Sequence, residues 1–255
     1  MVVTGAASGI GRALVDALLE RGARVAAVDL RPEALEALPK DARISTHVAD
    51  IGDRPRVAEL PAEVLAAHGC VDILINNAGI IQPFVPLADL DEEVIDRVMR
   101  VNFRGPVDMI RSFLPHLRTR SAAHICNVSS MGGFMPVPGQ TIYGASKAAV
   151  KLMSEGLYAE LLDTTVGVSV VMPGGVETPI TENSHVARPV ADADQAGYTL
   201  TTPERAARVI CKGIESDDLH ILIGKDAKLL YAASKLAPKA AIRMIQRKMK
   251  SMIGL

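Results

Sequence analysis

Cysteine is scarce in this sequence, and the few that occur are badly placed for cross-links or metal binding. The 255 residues include three, Cys70, Cys126 and Cys211, which lie far apart and are odd in number. The histidines are equally scattered, with no H-x-x-x-H or H-E-x-x-H pattern. Disulfide frameworks need paired cysteines, and metal sites need closely spaced ligands. The sequence therefore predicts a reduced, cytoplasmic protein with no metal site.

Strong net charge and long apolar runs are also missing. The formal net charge is −1 at pH 7, which argues against nucleic acid as a partner. A helix that crosses a bilayer needs roughly 20 apolar residues, and no run approaches that length, so no transmembrane segment is predicted. No signal peptide is recognisable. The length suits one large α/β domain or two small ones.

The first feature that is present is a glycine-rich turn, TGAASGIG, at residues 4–11. A short strand at 1–4 leads into it, and apolar residues at helical spacing follow over 10–20. Strand, glycine turn and helix make a phosphate site, because glycine lets a pyrophosphate approach the backbone and the helix N-terminus offers free N–H groups. The spacing departs from G-x-G-x-x-G, so the turn alone is weak evidence.

An acid follows the second predicted strand, and it bears on the choice of nucleotide. Asp29 ends the apolar run 24–28. A carboxylate at this place binds both hydroxyls of an adenosine ribose and repels a 2′-phosphate, which favours NAD over NADP. Arg31 argues the other way, since a nearby arginine accommodates a 2′-phosphate. The alternative for Asp29 is a turn or helix-cap residue before Pro32.

Apolar runs alternate with helical patterns along the rest of the chain, and Gly or Asn turns follow the strands. This order predicts a doubly wound Rossmann-type α/β fold with a parallel sheet and helices on both faces. Further strands are predicted at 44–48, 72–75, 123–128, 166–172 and 219–223. Further helices are predicted at 54–68, 91–117 with a break at Gly105-Pro106, 144–162 and 203–215.

Amide side chains occur at two places that suit a site. Asn76-Asn77-Ala78-Gly79 ends the fourth strand, where the amides either brace the crevice or simply favour a turn. Asn102 lies in an apolar part of the helix 91–117, as either a satisfied core amide or a site residue. The residues alone leave both alternatives open.

Three side chains in the segment 129–147 suit proton transfer to or from one oxygen. Tyr143 and Lys147 are four positions apart, which places them on one face of a helix. A nearby ammonium favours the phenolate and is expected to lower the pKa of the tyrosine. Ser130, at the end of the fifth strand, brings a hydroxyl to the same oxygen. A tyrosine–lysine pair by itself also occurs by chance on exposed helices.

The motifs TGAASGIG, NNAG, VNF, the serine–tyrosine–lysine spacing and PGGVET occur together, in this order. In this combination the chain, over about residues 1–223, resembles the short-chain dehydrogenase/reductase family. The resemblance implies a sheet of about seven parallel strands and homodimers or homotetramers. It also implies an oxidoreductase that uses NAD, or less favourably NADP, on a small-molecule alcohol or ketone.

The resemblance also implies a role for individual residues. Tyr143 would be the acid/base, and Lys147 would lower the pKa of Tyr143 and hold the nicotinamide ribose. Ser130 would position the substrate oxygen. Asn102 would hold a water that links Lys147 to solvent. The residues implied for the cofactor are Gly5, Ser8, Gly9, Ile10 and Gly11 at the pyrophosphate, Asp29 at the adenine ribose, Asp50 and Ile51 at the adenine, Asn77, Ala78 and Gly79 in the crevice, and Pro173, Gly174, Val176 and Thr178 at the nicotinamide.

The substrate is expected to be an apolar secondary alcohol or ketone. Six apolar residues are predicted to face it, unless they pack the core or an oligomer interface: Ile81, Phe84, Met131, Phe134, Met135 and Val137. The polar, aperiodic segment 182–202 is typical of a lid over a site. A second hypothesis is a non-catalytic dinucleotide-binding regulatory or scaffold protein. The intact set of site residues argues against it, because a pure binder needs no tuned phenol.

The C-terminal segment differs in charge from the rest of the chain. We assign residues 1–224 to a nucleotide-binding domain with the catalytic site and 225–255 to a basic, amphipathic helical extension. Its apolar face either packs against protein or enters a membrane surface, with the bases on anionic lipid. Packing is favoured, because about four turns without Trp or Phe bury little area. We expect at most weak, salt-sensitive membrane contact.

Overall fold

A computed structural model describes residues 1–187 and 200–253, and over these residues seven parallel strands form a single sheet. The strand order is β3-β2-β1-β4-β5-β6-β7. The strands are β1 (Val2–Thr4), β2 (Val25–Asp29), β3 (Ile44–Val48), β4 (Ile73–Asn76), β5 (Ala123–Val128), β6 (Val166–Pro173) and β7 (His220–Ile223). The prediction of a Rossmann-type parallel sheet of about seven strands is confirmed.

Helices cover both faces of this sheet. They are α1 (Gly9–Glu20), α2 (Pro32–Glu36), α3 (Arg54–His68), α4 (Glu92–Met99), α5 (Gly105–Leu117), α6 (Thr141–Leu161), α7 (Ile180–Asn183), α8 (Pro203–Glu215), α9 (Lys225–Leu236) and α10 (Pro238–Ile253). One apolar core lies under α1 and α8, and a second lies under α3, α5 and α6. The central strands β1 and β2 are buried along their whole length, which explains their continuous Val and Ala runs.

The strand order reverses between β1 and β4, and this reversal locates the crevice. The chain winds outward from β1 through β2 to β3, then returns to add β4 on the other side of β1. Connections after β1 and β4 therefore leave the sheet in opposite directions, and an open space forms at their carboxyl ends. Although β1 has three residues, it pairs with both neighbours, so the glycine turn that follows it is firmly placed.

The long helix predicted at 91–117 is interrupted earlier than expected. The irregular part is a π-helical turn at Arg100–Arg104, and α5 continues from Gly105 without a break. Pro106 has no N–H, so the ordinary helical hydrogen bond to the carbonyl of Asn102 cannot form. Gly105 has a packing role instead, because a Cβ there would lie 2.9 Å from the carbonyl oxygen of Ile51.

The C-terminal helices pack on the body of the same chain. Leu230 of α9 and Ala241 and Ile245 of α10 form a small buried cluster with Met135, which follows β5. Asp226, at the start of α9, accepts a hydrogen bond of 2.9 Å from the backbone N–H of Gly175. The apolar face of the tail is thus covered by protein along these residues, as the packing alternative requires.

Two further predictions from the sequence concern the lid over the site and membrane-spanning helices. Most of the predicted lid, residues 188–199 of the segment 182–202, lies outside the described residues. Its two flanks are joined by a bridge between Val176 and Thr201. Across residues 1–187 and 200–253, no helix is long and apolar enough to span a bilayer.

Candidate active site

The glycine turn lies open above the start of α1. Gly9 has a φ of 51°, a conformation that side chains disfavour, and a Cβ there would lie 3.0 Å from Thr178 Cγ2. Gly5 has a φ of 63°, and its Cβ would lie 2.9 Å from the Cα of Ala78. Glycine at both positions therefore lets the turn pack tightly and leaves bare backbone at the N-terminus of α1, where a pyrophosphate could bind.

Gly11 is predicted at the pyrophosphate turn, but the structure places it beneath the turn. It is buried, and a Cβ there would collide with the carbonyl of Gly5 and approach Asn77 Nδ2 to 2.6 Å. Its contribution is close packing of α1 against the turn, and it does not line the cleft.

Asn77 fastens the glycine turn to the end of β4. Its Nδ2 donates to the carbonyl oxygen of Thr4 at 3.0 Å, and its backbone N–H donates to Thr4 Oγ1 at 3.0 Å. Asn76, one residue earlier, donates through Nδ2 to Asn127 Oδ1 of β5 at 2.8 Å. Of the two alternatives for these amides, the structure therefore shows the brace.

Asp29 ends β2 at the side of the cleft where the adenosine is predicted to bind. Only 6% of its surface is exposed, and its carboxylate accepts the backbone N–H groups of Ala7 at 3.0 Å and Arg31 at 3.1 Å. The Arg31 guanidinium also reaches the carboxylate at 3.4 Å. Asp29, which favours NAD, and Arg31, which would favour NADP, thus lie at the same place and contact each other.

Two cavities meet at the glycine turn and together form one cleft. One half, which we call the adenosine half after the predicted ligand, is lined by residues that include Asp29, Arg31, Asp50, Ile51, Arg97 and Arg100. The other half is lined by residues that include Ser130, Tyr143, Lys147, Pro173, Gly174, Val176 and Thr178. Both halves share Gly5, Ser8, Ala78, Gly79 and Asn183. Apart from Gly11 and Asn102, every predicted cofactor-binding or catalytic residue therefore lines this cleft.

Helix α6 begins at Thr141, three residues earlier than predicted, which places Tyr143 in its first turn. The cause is a distant side chain. Gln82 is fully buried, and its Oε1 accepts the backbone N–H groups of Ile142 at 2.8 Å and Tyr143 at 2.9 Å. The Gln82 amide thus satisfies donors that a helix start leaves unpaired. Gln82 is a site-supporting residue that sequence reasoning missed, since nothing in QP at 82–83 signals it.

The environment of Tyr143 changes its acidity in the direction opposite to the prediction. Burial raises the pKa of Tyr143, and a hydrogen bond with Ser130 offsets part of that rise. The expected lowering by Lys147 is not found, because the ammonium lies 6.0 Å from the ring centroid and donates to the carbonyl of Val128 at 3.0 Å.

Lys147 is the most perturbed base of the site. Its side chain is 4% exposed, and burial lowers its pKa from 10.5 to about 8. The space beside its Nζ exists because residue 79 is glycine, where a Cβ would lie 3.0 Å from Nζ and 3.2 Å from Asn102 Oδ1. Ser129, beside Ser130, donates through Oγ to the Lys147 carbonyl at 2.7 Å and so fixes α6 against β5.

Asn102 is a buried, fully engaged amide next to Lys147. Its Oδ1 accepts the N–H of Ile80 at 2.8 Å, and its Nδ2 donates to the Ile80 carbonyl at 2.9 Å and to Ser146 Oγ at 3.0 Å. Its side chain therefore joins the end of β4 to α6. The water implied by the family resemblance would have to use its backbone carbonyl, which lacks its ordinary helical donor because of Pro106.

The six apolar residues predicted to face the substrate lie elsewhere in the described structure. Ile81 and Met135 are buried, and Met131 and Phe134 pack against the tail cluster. Phe134 and Val137 line a separate cavity of about 410 Å³ between α6 and α10. Within residues 1–187 and 200–253, none of the six lines the cleft that contains Tyr143. For Ile81 and Met135 in particular, the packing alternative is the one observed.

Comparison with known proteins agrees with this geometry. The family model described as short chain dehydrogenase matches residues 1–188. The reductase FabG of Thermotoga maritima, named for 3-oxoacyl-(acyl-carrier-protein), is 36% identical over 230 residues, which are 88% of this chain and 93% of that protein.

Two solved structures share the fold and carry different nucleotides. A short chain dehydrogenase from Burkholderia cenocepacia, in complex with NADP, has 29% identity and a TM-score of 0.81 over 96% of this chain and 95% of that one. A short chain dehydrogenase/reductase from Burkholderia phymatum, in complex with NAD, has 26% identity and a TM-score of 0.80 over 92% and 93%. This chain is thus an oxidoreductase that belongs to the short chain dehydrogenase family.

Proposed function

We propose that this protein interconverts a secondary alcohol and a ketone, with NAD as the preferred cofactor and Tyr143 as the acid/base. The observation that carries the proposal is that Ser130, Tyr143 and Lys147 line the same cleft as the glycine turn. A dinucleotide on the turn would therefore end beside the phenol. Tyr143 is half-buried next to the buried amine of Lys147, and burial perturbs the pKa of both groups, as is typical of functional sites.

In the proposed reaction, the bound cofactor accepts or supplies the hydride at the substrate carbon. The residues of this chain handle the proton and the oxygen. During ketone reduction Tyr143 donates its phenolic proton to the carbonyl oxygen as the C–H bond forms, which leaves an alcohol and a phenolate. During alcohol oxidation the phenolate takes the hydroxyl proton. Ser130 donates a hydrogen bond to the same oxygen and holds it in place.

The electrostatics of the site favour the acid form of the phenol. Burial raises the pKa of Tyr143, so the phenol is protonated at neutral pH and ready to donate. Lys147, with a pKa of about 8, is largely cationic at pH 7 and would hold the nicotinamide ribose, a role that the family resemblance implies for it. Ketone reduction should therefore be favoured at neutral pH and should weaken above about pH 8, as the ammonium is lost.

The proton lost by Tyr143 must be replaced from solvent in each reductive cycle. Gly79 leaves space between Lys147 Nζ and Asn102, and the carbonyl of Asn102 lacks its regular helical donor. A water held there would connect Lys147 to the outside, which supports the role that the family resemblance implies for Asn102.

The preference for NAD is supported by the position of Asp29. Its buried carboxylate is fixed by two backbone N–H groups at the end of β2, where a 2′-phosphate would be repelled. Arg31 is already engaged with Asp29, so it is less free to receive that phosphate. An apolar substrate is supported by the relative's name, since a 3-oxoacyl group is a ketone on an acyl chain.

The test of the reaction is Tyr143→Phe. The variant should bind NADH with the affinity of the parent, measured by fluorescence, and should lose turnover by about 10²- to 10⁴-fold on the best of a panel of ketones and alcohols. Undiminished turnover in this variant would remove Tyr143 from the mechanism.

A parent protein that binds NADH but turns over no member of the panel would favour the non-catalytic alternative. Faster oxidation of polyols than of apolar alcohols would contradict the proposed substrate class.

A further inference from the structure

Three polar side chains from distant parts of the chain meet directly above the glycine turn. Arg31, which follows β2, donates through one terminal nitrogen to Ser8 Oγ at 3.1 Å and through the other to Asn183 Oδ1 at 2.6 Å. Asn183, the last residue of α7, donates through Nδ2 to Ser8 Oγ at 3.0 Å. We call this group the Ser8 triad. It closes a triangle of hydrogen bonds between the adenosine side of the sheet and α7.

The hydrogen-bond count at Ser8 determines where its hydroxyl proton points. A serine oxygen has two lone pairs and one hydrogen. In the triad both lone pairs accept, one from Arg31 and one from Asn183, so the hydrogen must point away from both. Ser8 precedes α1, where a serine commonly caps the helix, but among the described residues it bonds to no N–H of the first turn. The hydroxyl is therefore held as a donor.

The Ser8 triad lies at the junction of the two halves of the cleft. Ser8 and Asn183 line both the adenosine half and the half that holds Tyr143. A dinucleotide that fills both halves must place its pyrophosphate at this junction, above the start of α1. The one remaining hydrogen of Ser8 and the positive charge of Arg31 thus meet the most negative part of the ligand.

Both partners of Ser8 are themselves held in place. The Arg31 guanidinium rests on Asp29 at 3.4 Å. Ser184, next to Asn183, is 2% exposed, and its Oγ accepts the backbone N–H of Ile81 at 3.0 Å. These contacts fix the end of α7 against the segment after β4, so the triad is a rigid feature of the described structure.

We propose that Arg31 and Asn183 are positioning residues for the dinucleotide: by occupying both acceptor sites of Ser8 they aim its hydroxyl at the pyrophosphate. This inference rests on the proposed function, since it requires a dinucleotide in the cleft. It adds residues outside the glycine turn to those that hold the cofactor. Because Asn183 is the last residue of α7, the position of this helix would also depend on whether the phosphate site is correctly formed.

The experiment measures binding by NADH fluorescence and calorimetry with three probes: NADH, ADP-ribose and adenosine. Asn183→Ala should weaken NADH and ADP-ribose by about tenfold, the worth of one hydrogen bond to a charged acceptor, and should change adenosine, which has no pyrophosphate, by less than about twofold. Asn183→Leu keeps the branched shape of the side chain without its polar atoms and should weaken NADH and ADP-ribose to a similar extent. Thr181→Ala, on the same helix but outside the triad, is the matched control and should bind as the parent does.

Because Asn183 acts through Ser8, the two residues must be coupled. In a Ser8→Ala background, Asn183→Ala should add less than about twofold to the loss for ADP-ribose. The inference would be overturned if Asn183→Ala bound ADP-ribose as tightly as the parent or more tightly, or if it lost as much affinity for adenosine as for ADP-ribose. Fully additive losses in the Ser8→Ala, Asn183→Ala double variant would also overturn it. A parent protein that binds neither NADH nor NADPH would instead overturn the proposed function, so the two failures are distinguishable.

Discussion

Replacing Lys147 by methionine should make this protein more stable and inactive. Lys147 is 4% exposed, and within residues 1–187 and 200–253 its ammonium has one hydrogen bond, to the carbonyl of Val128 at 3.0 Å. Methionine has a similar length, is apolar, and adapts its shape to irregular space. The substitution therefore removes a charge from the interior with little loss of packing, and it removes the cation that the proposed reaction uses.

The size of the effect follows from the pKa of the lysine. Burial lowers it from 10.5 to about 8, which corresponds to about 3 kcal/mol of destabilisation while the lysine is charged in both the folded and the unfolded chain. Losing the bond to Val128 and leaving its carbonyl unpaired costs about 1–2 kcal/mol. The net gain for Lys147→Met at pH 7 is then about 1–2 kcal/mol, or several degrees in the melting temperature of a chain this size.

The gain must shrink as the pH rises. Between about pH 8 and 10.5 the folded protein has released the Lys147 proton while the unfolded chain still holds it. In that window the unfolded state binds more protons, so the unfolding free energy of the parent rises with pH, by up to about 3 kcal/mol. Methionine does not titrate. The difference between variant and parent should therefore fall by about 1.4 kcal/mol per pH unit and should reverse sign in the middle of the window, near pH 9.

The measurement is urea unfolding of parent and variant at equal protein concentration, at pH 7 and again near pH 9.5. Lys151→Met is the matched control, because Lys151 lies one turn further along α6 with its ammonium 2.6 Å from Glu155. A less stable Lys147→Met protein at pH 7, or a stability difference that is the same at both pH values, would refute the reasoning. So would full catalytic activity in the variant.

Two further predictions concern the cofactor and the tail. Asp29→Ala should weaken NAD binding by about tenfold or more and reduce the difference in affinity between NAD and NADP. Parallel titrations with NADH and NADPH measure this difference. A parent protein that prefers NADPH would contradict our interpretation of Asp29 and Arg31. Ile245→Ala should lower the unfolding free energy by about 2 kcal/mol or more, because Ile245 is 5% exposed within the tail cluster, whereas Met244→Ala, at 49% exposure, should change it by less than about 0.5 kcal/mol. Equal effects of the two substitutions would mean that the cluster does not stabilise the protein.

The sheet could be predicted from the sequence because its signals are local. Most of the strands are short apolar runs that lead into Gly, Asn, Asp or Ser, and the observed ends differ from the predicted ones by a residue or so. The positions of Asp29 and Ser130 follow directly, since both stand at the end of a strand. Residues at strand ends are thus placed by the same pattern that predicts the strands.

What could not be predicted depends on contacts between distant segments. The early start of α6 results from Gln82, whose Oε1 binds N–H groups about 60 residues further on. The Ser8 triad joins Arg31 to Asn183 across 152 residues. The raised pKa of Tyr143 was missed for a similar reason: spacing shows that Lys147 shares its helix face, but not that the ammonium turns toward Val128. Periodicity contains no information on any of these contacts.

The capping of α6 by Gln82 has a consequence for how the site is assembled. Helix formation is otherwise a fast and local event, yet the first amides of α6 are satisfied by Gln82, in a segment that must first dock from β4. Tyr143, the proposed acid/base, is therefore in its final position only after a contact of long sequence separation has formed, a slow class of event in folding. Conversely, a local opening of the segment after β4 would release the backbone of Tyr143 while the sheet stays intact. Catalytic competence in this protein can then be lost before the fold is.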